Sequence, residues 1–124
     1  MLVIDKYGSQ PIYEQIIEGI ERNILLDILK EGDAVPSVRE LSVSLGINPN
    51  TIQKAYLELD RRGSIISCAG RGSFVREGAV ISIKVRARGE LNTLRETARR
   101  LKMAGVSLEE LTKTIDDVYK EAEE

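Results

Sequence analysis

Histidine is absent from this 124-residue chain, and cysteine occurs once, at Cys68. Without histidine there is no Ser-His or Cys-His nucleophile pair, and the commonest general base is missing. A single cysteine allows no intramolecular disulfide and, with no histidine beside it, no Cys/His cluster for a structural zinc. Enzyme and metalloprotein classes are therefore disfavoured, and neither a cofactor nor a metal is expected. Cys68 lies among Ile65, Ile66 and Ala69, where it reads as a small half-buried strand residue in preference to a redox sensor. Long apolar runs are missing too, since none approaches the roughly 20 residues that a membrane helix needs. The opening MLVIDKYGSQP lacks the basic-then-apolar layout of a signal peptide, so a cytoplasmic protein without a membrane partner is expected.

What is present is organised by charge and by helix signals. The formal net charge of -2 averages two opposed regions. Six cations face three carboxylates between Pro36 and Arg76, whereas two cations face seven carboxylates after Ser107. The distribution, not the average, decides whether a surface attracts a polyanion. A chain of this length has room for one modest core and an appendage, and none for a ligand domain of usual size.

The spacing predicts a first helix from about Pro11 to Leu29, with Pro11 at the first helical position, where a missing N–H costs nothing. Ile12, Ile16, Ile20 and Ile24 give it an apolar face, and Gly32, Asp33 and Pro36 interrupt the pattern. Ser37-Val38-Arg39-Glu40 is a capping box opening a second helix, with Val38, Leu41 and Leu45 inside and Gly46 as its exit. Asn48-Pro49 opens a third helix, with Ile47 and Ile52 placed as a hydrophobic staple. Ile52, Ala55, Tyr56 and Leu59 turn inward, which leaves Asn50, Thr51, Gln53, Lys54 and Glu58 outside. Arg61 and Arg62 are most simply helix-end cations favoured by the dipole, and Gly63 ends the helix.

Ile65 to Ala69 and Ser73 to Arg76 then read as strands joined through Gly70-Arg71-Gly72. Beyond Glu77, Ile81, Ile83 and Val85 alternate in the manner of a short strand or an irregular helix start, and a helix carrying Leu91, Leu94, Ala98 and Leu101 is favoured. Gly105 closes it. Ser107-Leu108-Glu109-Glu110 repeats the capping box, with Val106 and Leu111 as staple partners. A final helix carries Leu108, Leu111, Ile115, Val118 and Ala122 at spacings of three and four.

The fold class is thus mainly α with a small β-hairpin: a winged helix-turn-helix over residues 1–77, then a short two-helix dimerisation tail over residues 78–124. Two helices cannot easily bury the stripes Leu91, Leu94, Ala98, Leu101 and Leu108, Leu111, Ile115, Val118, Ala122 by themselves, so a homodimer is expected. The alternative packs both stripes on the winged part.

In a helix-turn-helix the second helix enters the major groove with its N-terminal residues at the base edges. Those residues are Asn48, Pro49, Asn50, Thr51, Gln53 and Lys54. Asn50 and Gln53 are the leading base readers, because a side-chain amide makes two hydrogen bonds to adenine. Lys54 suits a phosphate at least as well as a base. Ser37 and Arg39 open the second helix, where free amides favour a phosphate. Gly70 and Gly72 let the backbone approach the sugar-phosphate rail while Arg71 enters the minor groove or pairs with phosphate. Double-stranded DNA is the expected partner, and no small-molecule effector is identifiable. Taken singly these features are bland: Ser37 and Asn48 are explained as caps, and Gly70-Arg71-Gly72 as a turn. Two rival classes are a winged-helix adaptor docking a basic partner through the acidic last helix, and an enzyme, for which no nucleophile-base pair or cofactor loop is present.

Order and spacing together carry more. Gly32, Pro36 through Leu41, Leu45-Gly46-Ile47, Thr51-Ile52, Ala55 through Leu59, Gly63 and Gly70 through Val75, with Pro11 through Ile16 ahead of them, form a multi-part pattern from about Gln10 to Arg76. This pattern resembles the DNA-binding domain of the GntR family of bacterial transcriptional regulators. The resemblance implies DNA contacts at Arg39, Asn48, Asn50, Thr51, Gln53 and Gly70. Pro49 and Gln53 stand where many members carry arginine, which implies a different operator. Asn48-Pro49-Asn50-Thr51 with a short helical tail is similar to the YtrA subfamily, which implies a dimerisation tail and a repressor of its own operon, often one for an ABC-type transporter.

Overall fold

Four isoleucine positions at a spacing of four begin the first helix, and three of them, Ile16, Ile20 and Ile24, are almost fully excluded from solvent. In the computed structural model, which describes residues 2–122, they belong to α1, Ile12–Leu25. The acidic end residues Glu123 and Glu124 lie outside the described residues. Helix α1 stops four residues before the expected Leu29. Leu26 caps it, Asp27 takes a left-handed φ of 64°, and the amides of Ile28 and Leu29 turn back to the Asn23 carbonyl at 2.9 and 3.0 Å. That reversal returns Leu29 to the core.

The next two helices are α2, Val38–Leu45, and α3, Pro49–Arg62. Gly46 leaves α2 at φ 65°, a conformation that costs a side-chain residue roughly 1 kcal/mol or more. The Ile47 amide then closes on the Ser42 carbonyl while the Ser42 hydroxyl donates to the Ile47 carbonyl at 2.6 Å. Ile47 and Ile52, the expected staple, are both buried. Ile52, Ala55, Tyr56 and Leu59 of α3 meet α1 in one core that also takes Val35 and Leu41.

Two short strands follow, β1 (Ile65–Cys68) and β2 (Gly72–Val75), paired antiparallel with Ile65 opposite Val75 and Cys68 opposite Gly72. The turn sits one residue earlier than expected: β1 ends at Cys68 and not Ala69, and β2 runs over Gly72–Val75 and not Ser73–Arg76. The Arg71 amide closes on the Cys68 carbonyl at 3.0 Å, so Ala69 belongs to the turn and Gly72 joins the ladder. Gly70, at φ 74°, occupies the left-handed turn position that favours glycine. Ala34 bridges to Phe74, and bonds from Gly32 and Val35 to the β2 carbonyls give the hairpin a third, short edge. Cys68 is half-buried on β1, as expected.

Helix α4 runs over Ala79–Met103. The alternation at Ile81, Ile83 and Val85 is helical: residues two apart point roughly opposite ways on a helix, so Ile83 is buried at 4% exposure while Ile81 and Val85 are open. One compact unit runs through Val85 and a second starts at Arg86, the division falling inside α4. In the second unit Gly105, at φ 91°, ends α4, with the Val106 amide reaching back to the Leu101 carbonyl at 3.0 Å. The Ser107 hydroxyl then accepts from the Glu110 amide at 3.1 Å and opens α5, Leu108–Tyr119. Val106 and Leu111 are half-buried. Because α5 stops at Tyr119, Ala122 lies beyond it, against the expectation of a longer seam. Near its end, Asp116 and Asp117 pair with Lys120 at 2.7 Å and Lys113 at 3.0 Å, each four residues away. No residue of α5 is buried.

Candidate nucleic-acid interface

The start of α2 is held by a reciprocal cap. Ser37 Oγ accepts from the Glu40 amide at 3.0 Å, and Glu40 Oε1 accepts from the Ser37 amide at 3.4 Å. Tyr56 ties this corner to α3 by donating its hydroxyl to the Pro36 carbonyl at 2.7 Å. Burial, and secondarily the charge of Glu40, pushes the Tyr56 phenol up to about 12, so it remains a donor across the physiological range. Arg39 is exposed on the first turn of α2 and forms no ion pair among the described residues.

The tip of α3 is built in the same way. Asn48 Oδ1 accepts from the Asn50 amide at 2.8 Å, and Pro49 occupies the first helical turn. Asn48, Pro49, Asn50, Gln53 and Lys54 are exposed, and Thr51 is half-buried. The side-chain amides of Asn50 and Gln53 have no protein partner among the described residues, so their donors and acceptors face water. Lys54 is exposed as expected, and its Nζ lies 4.6 Å from the centre of the Tyr13 ring on α1, a cation–π contact.

Arg61 and Arg62 differ from expectation. Rather than standing free at the dipole end, both bind Glu58: Arg61 through Nε and Nη2 at 2.7 and 2.6 Å, Arg62 through Nε at 2.6 Å. Arg62 reaches on to Glu21 at 3.4 Å, and the Ser64 hydroxyl donates to Glu21 at 2.5 Å. Glu21 and Ser64, buried and unremarked in the sequence reading, thus fasten the end of α3 to α1. The signal was there: Glu21 lies four residues after Ile17, on the side of α1 that faces the core.

The hydrogen bonds from Arg61, then those from Arg62, lower the Glu58 carboxyl from the usual 4.5 to about 2. A folded-state value below the unfolded one contributes stability that is complete above pH ~4.5 and is lost as pH falls toward about 2. Glu58→Gln is therefore expected to flatten that part of the acid-unfolding profile. The effect should stay under about 1 kcal/mol, because the pair is open to water. Urea midpoints measured from about pH 5 down to pH 2 check it, and an unchanged profile would remove Glu58 from the acid response.

On the hairpin, Asp60 of α3 accepts from the Ser67 amide at 3.1 Å, which fixes β1 against α3. Gly70, Arg71 and Gly72 are exposed at its tip. In the second unit, Leu91, Leu94, Leu108, Ile115 and Val118 are all about half exposed or more, while Ala98, Leu101 and Leu111 are half-buried. No group of acidic, cysteine or histidine side chains among the described residues is arranged to hold a metal ion. No helix among them is long and apolar enough to cross a membrane.

Residues 12–75 match the model of the family described as bacterial regulatory proteins, gntR family. The chain is 40% identical to the HTH-type transcriptional repressor YtrA of Bacillus subtilis (strain 168), over 95% of this chain and 92% of that protein. Among solved structures, a transcriptional antiterminator from Listeria monocytogenes EGD-e is similar over 97% of this chain and 90% of its own, with 34% identity and a TM-score of 0.74. The DNA-binding domain of AraR, crystallised in complex with operator ORR3, is similar over 60% of this chain and 94% of its own, at 29% identity and a TM-score of 0.50. The chain therefore belongs to the GntR family of bacterial regulatory proteins, and its likeness to YtrA extends over almost its whole length.

Proposed function

We propose that this chain is a cytoplasmic, sequence-specific DNA-binding transcriptional regulator, acting as a dimeric repressor on a pseudo-palindromic operator. The observation that carries the reading is the pair of exposed, unpartnered amides of Asn50 and Gln53 on a capped helix tip. The likeness to a DNA-binding domain crystallised on its operator supports it, as does the repressor 40% identical to the chain. Residues 1–77 form the DNA-binding domain. Asn50 and Gln53 read adenines in the major groove, Thr51 and Asn48 line the same tip, Ser37 and Arg39 hold a phosphate, and Gly70-Arg71-Gly72 contacts the backbone or minor groove. Lys54 bears on a phosphate from its place over Tyr13. Residues 78–124 form the dimerisation region, whose exposed seam on α4 and α5 is covered by a second copy. Two recognition helices then meet half-sites about 10 bp, or a small multiple, apart, and repression follows from steric exclusion of polymerase. No catalytic step, cofactor or effector is part of this reading.

Asn50→Ala tests it. Affinity for the selected operator should fall by about 1–3 kcal/mol, with sequence preference relaxed at one position of each half-site. Selection from a random DNA pool followed by mobility shifts gives both quantities. Equal loss on all sequences would assign Asn50 to the backbone, and no shift with any duplex would favour a protein-binding adaptor.

A further inference from the structure

The segment ahead of α1 is folded back against the helix-turn-helix. Gln15 holds it with three bonds: its Oε1 accepts from the Asp5 amide at 2.8 Å, and its Nε2 donates to the carbonyls of Asp5 at 2.9 Å and Gln10 at 2.8 Å. Leu2 and Ile4 pack on the core, and the Asp5 carboxylate accepts from the Tyr7 amide at 3.0 Å. This places Lys6, 40 residues away in sequence, at the turn between α2 and α3, where its Nζ donates to the Gly46 carbonyl at 3.3 Å.

We propose that residues 5–10 are an additional DNA-contacting element in which Lys6 holds a backbone phosphate beside the tip of α3. The inference rests on the DNA-binding reading above. Gly46 is followed directly by Ile47 and the cap Asn48, so the ammonium stands at the root of the helix that enters the groove. Lys6 is exposed and has no ion pair among the described residues. One of its three N–H groups meets the carbonyl, leaving two for a phosphate, to which the bonds are charge-assisted. Its partner would be the phosphate rail and not a base edge, because an ammonium is a point charge without the fork that matches guanine. The contact positions the protein and carries no sequence information.

The salt dependence of binding by the full chain tests this, on the selected operator and on a random duplex. Lys6→Gln should reduce the slope of log K against log salt by about 0.9 on both duplexes, the release expected for one phosphate contact. Over a fourfold rise in salt the variant would lose roughly threefold less affinity than the parent. Lys6→Arg should keep the parent slope, and Gln15→Ala, which unpins the segment, should lose it as Lys6→Gln does. The thermal midpoint of Lys6→Gln should be unchanged. An unchanged slope overturns the proposal, as does a lowered midpoint without a slope change, which would make Lys6 a cap on the negative pole of α2. If the parent chain bound neither duplex, the DNA-binding reading would fall and this one with it.

Discussion

Ile115→Asp is expected to convert the protein to a monomer and to lower its affinity for a two-half-site operator by about 10²–10⁴-fold, while single half-site binding stays the same. Ile115 lies on α5, a helix with no buried residue, and is 46% exposed in the single chain. Leu108 and Val118 share its stripe and are more open still. A second copy closing over that stripe would bury the new carboxylate against apolar side chains with nothing to pair it, and such burial costs several kcal/mol or forces protonation. Once the copies separate, the two recognition helices are no longer linked, and the effective concentration that joins the second half-site to the first is lost. Sedimentation velocity together with anisotropy titrations on one-site and two-site duplexes reads both effects. A variant still dimeric would move the interface off α5.

Ile52→Ala should cost about 2–5 kcal/mol of stability, a large part of the roughly 5–15 kcal/mol that a domain of this kind has. Ile52 is fully buried in the core cluster that also holds Ile47 and, from α1, Ile16 and Ile20. Its removal opens a cavity in the core that α1, α2 and α3 share. Urea unfolding followed by circular dichroism gives the value. A loss below about 1 kcal/mol would mean that the helix-turn-helix core repacks around the gap.

The sequence was most legible where one local mechanism sufficed. The Ser37 and Glu40 cap, the exits at Gly46, Gly63 and Gly105, and the inward set Ile52, Ala55, Tyr56 and Leu59 all follow from spacing and backbone geometry. The exposure of Asn50 and Gln53 followed from the same periodicity. What escaped depended on partners far apart in the chain. Nothing near Leu26 announces that Asp27 turns left-handed, because the reversal is completed by Leu29 finding the core. The Glu58 pairs of Arg61 and Arg62 are neighbours one helical turn away that spacing alone allows, whereas the reach of Arg62 to Glu21 and the seat of the exposed Lys54 over Tyr13 come only with the fold. Nothing in the spacing around Gln15 signals the three bonds with which it holds the segment that brings Lys6 to Gly46. Ala122 failed because its spacing continued the pattern past Tyr119, where α5 ends and the Lys120 amide closes the last turn on the Asp116 and Asp117 carbonyls.

The anchors of α3 have a consequence for how such a regulator can change. Tyr56 is tied to Pro36, Glu58 to two arginines, and Ser64 just beyond the helix to Glu21, whereas Asn48 bonds only its own first turn. Replacements at Pro49, Asn50 and Gln53 touch none of these ties and should each shift stability by no more than about 0.5 kcal/mol. If these residues read the operator as proposed, the letters that choose it are written on the part of the molecule that folding does not audit. A lineage built on this frame is free to wander among target genes one substitution at a time, with no intermediate that loses its shape.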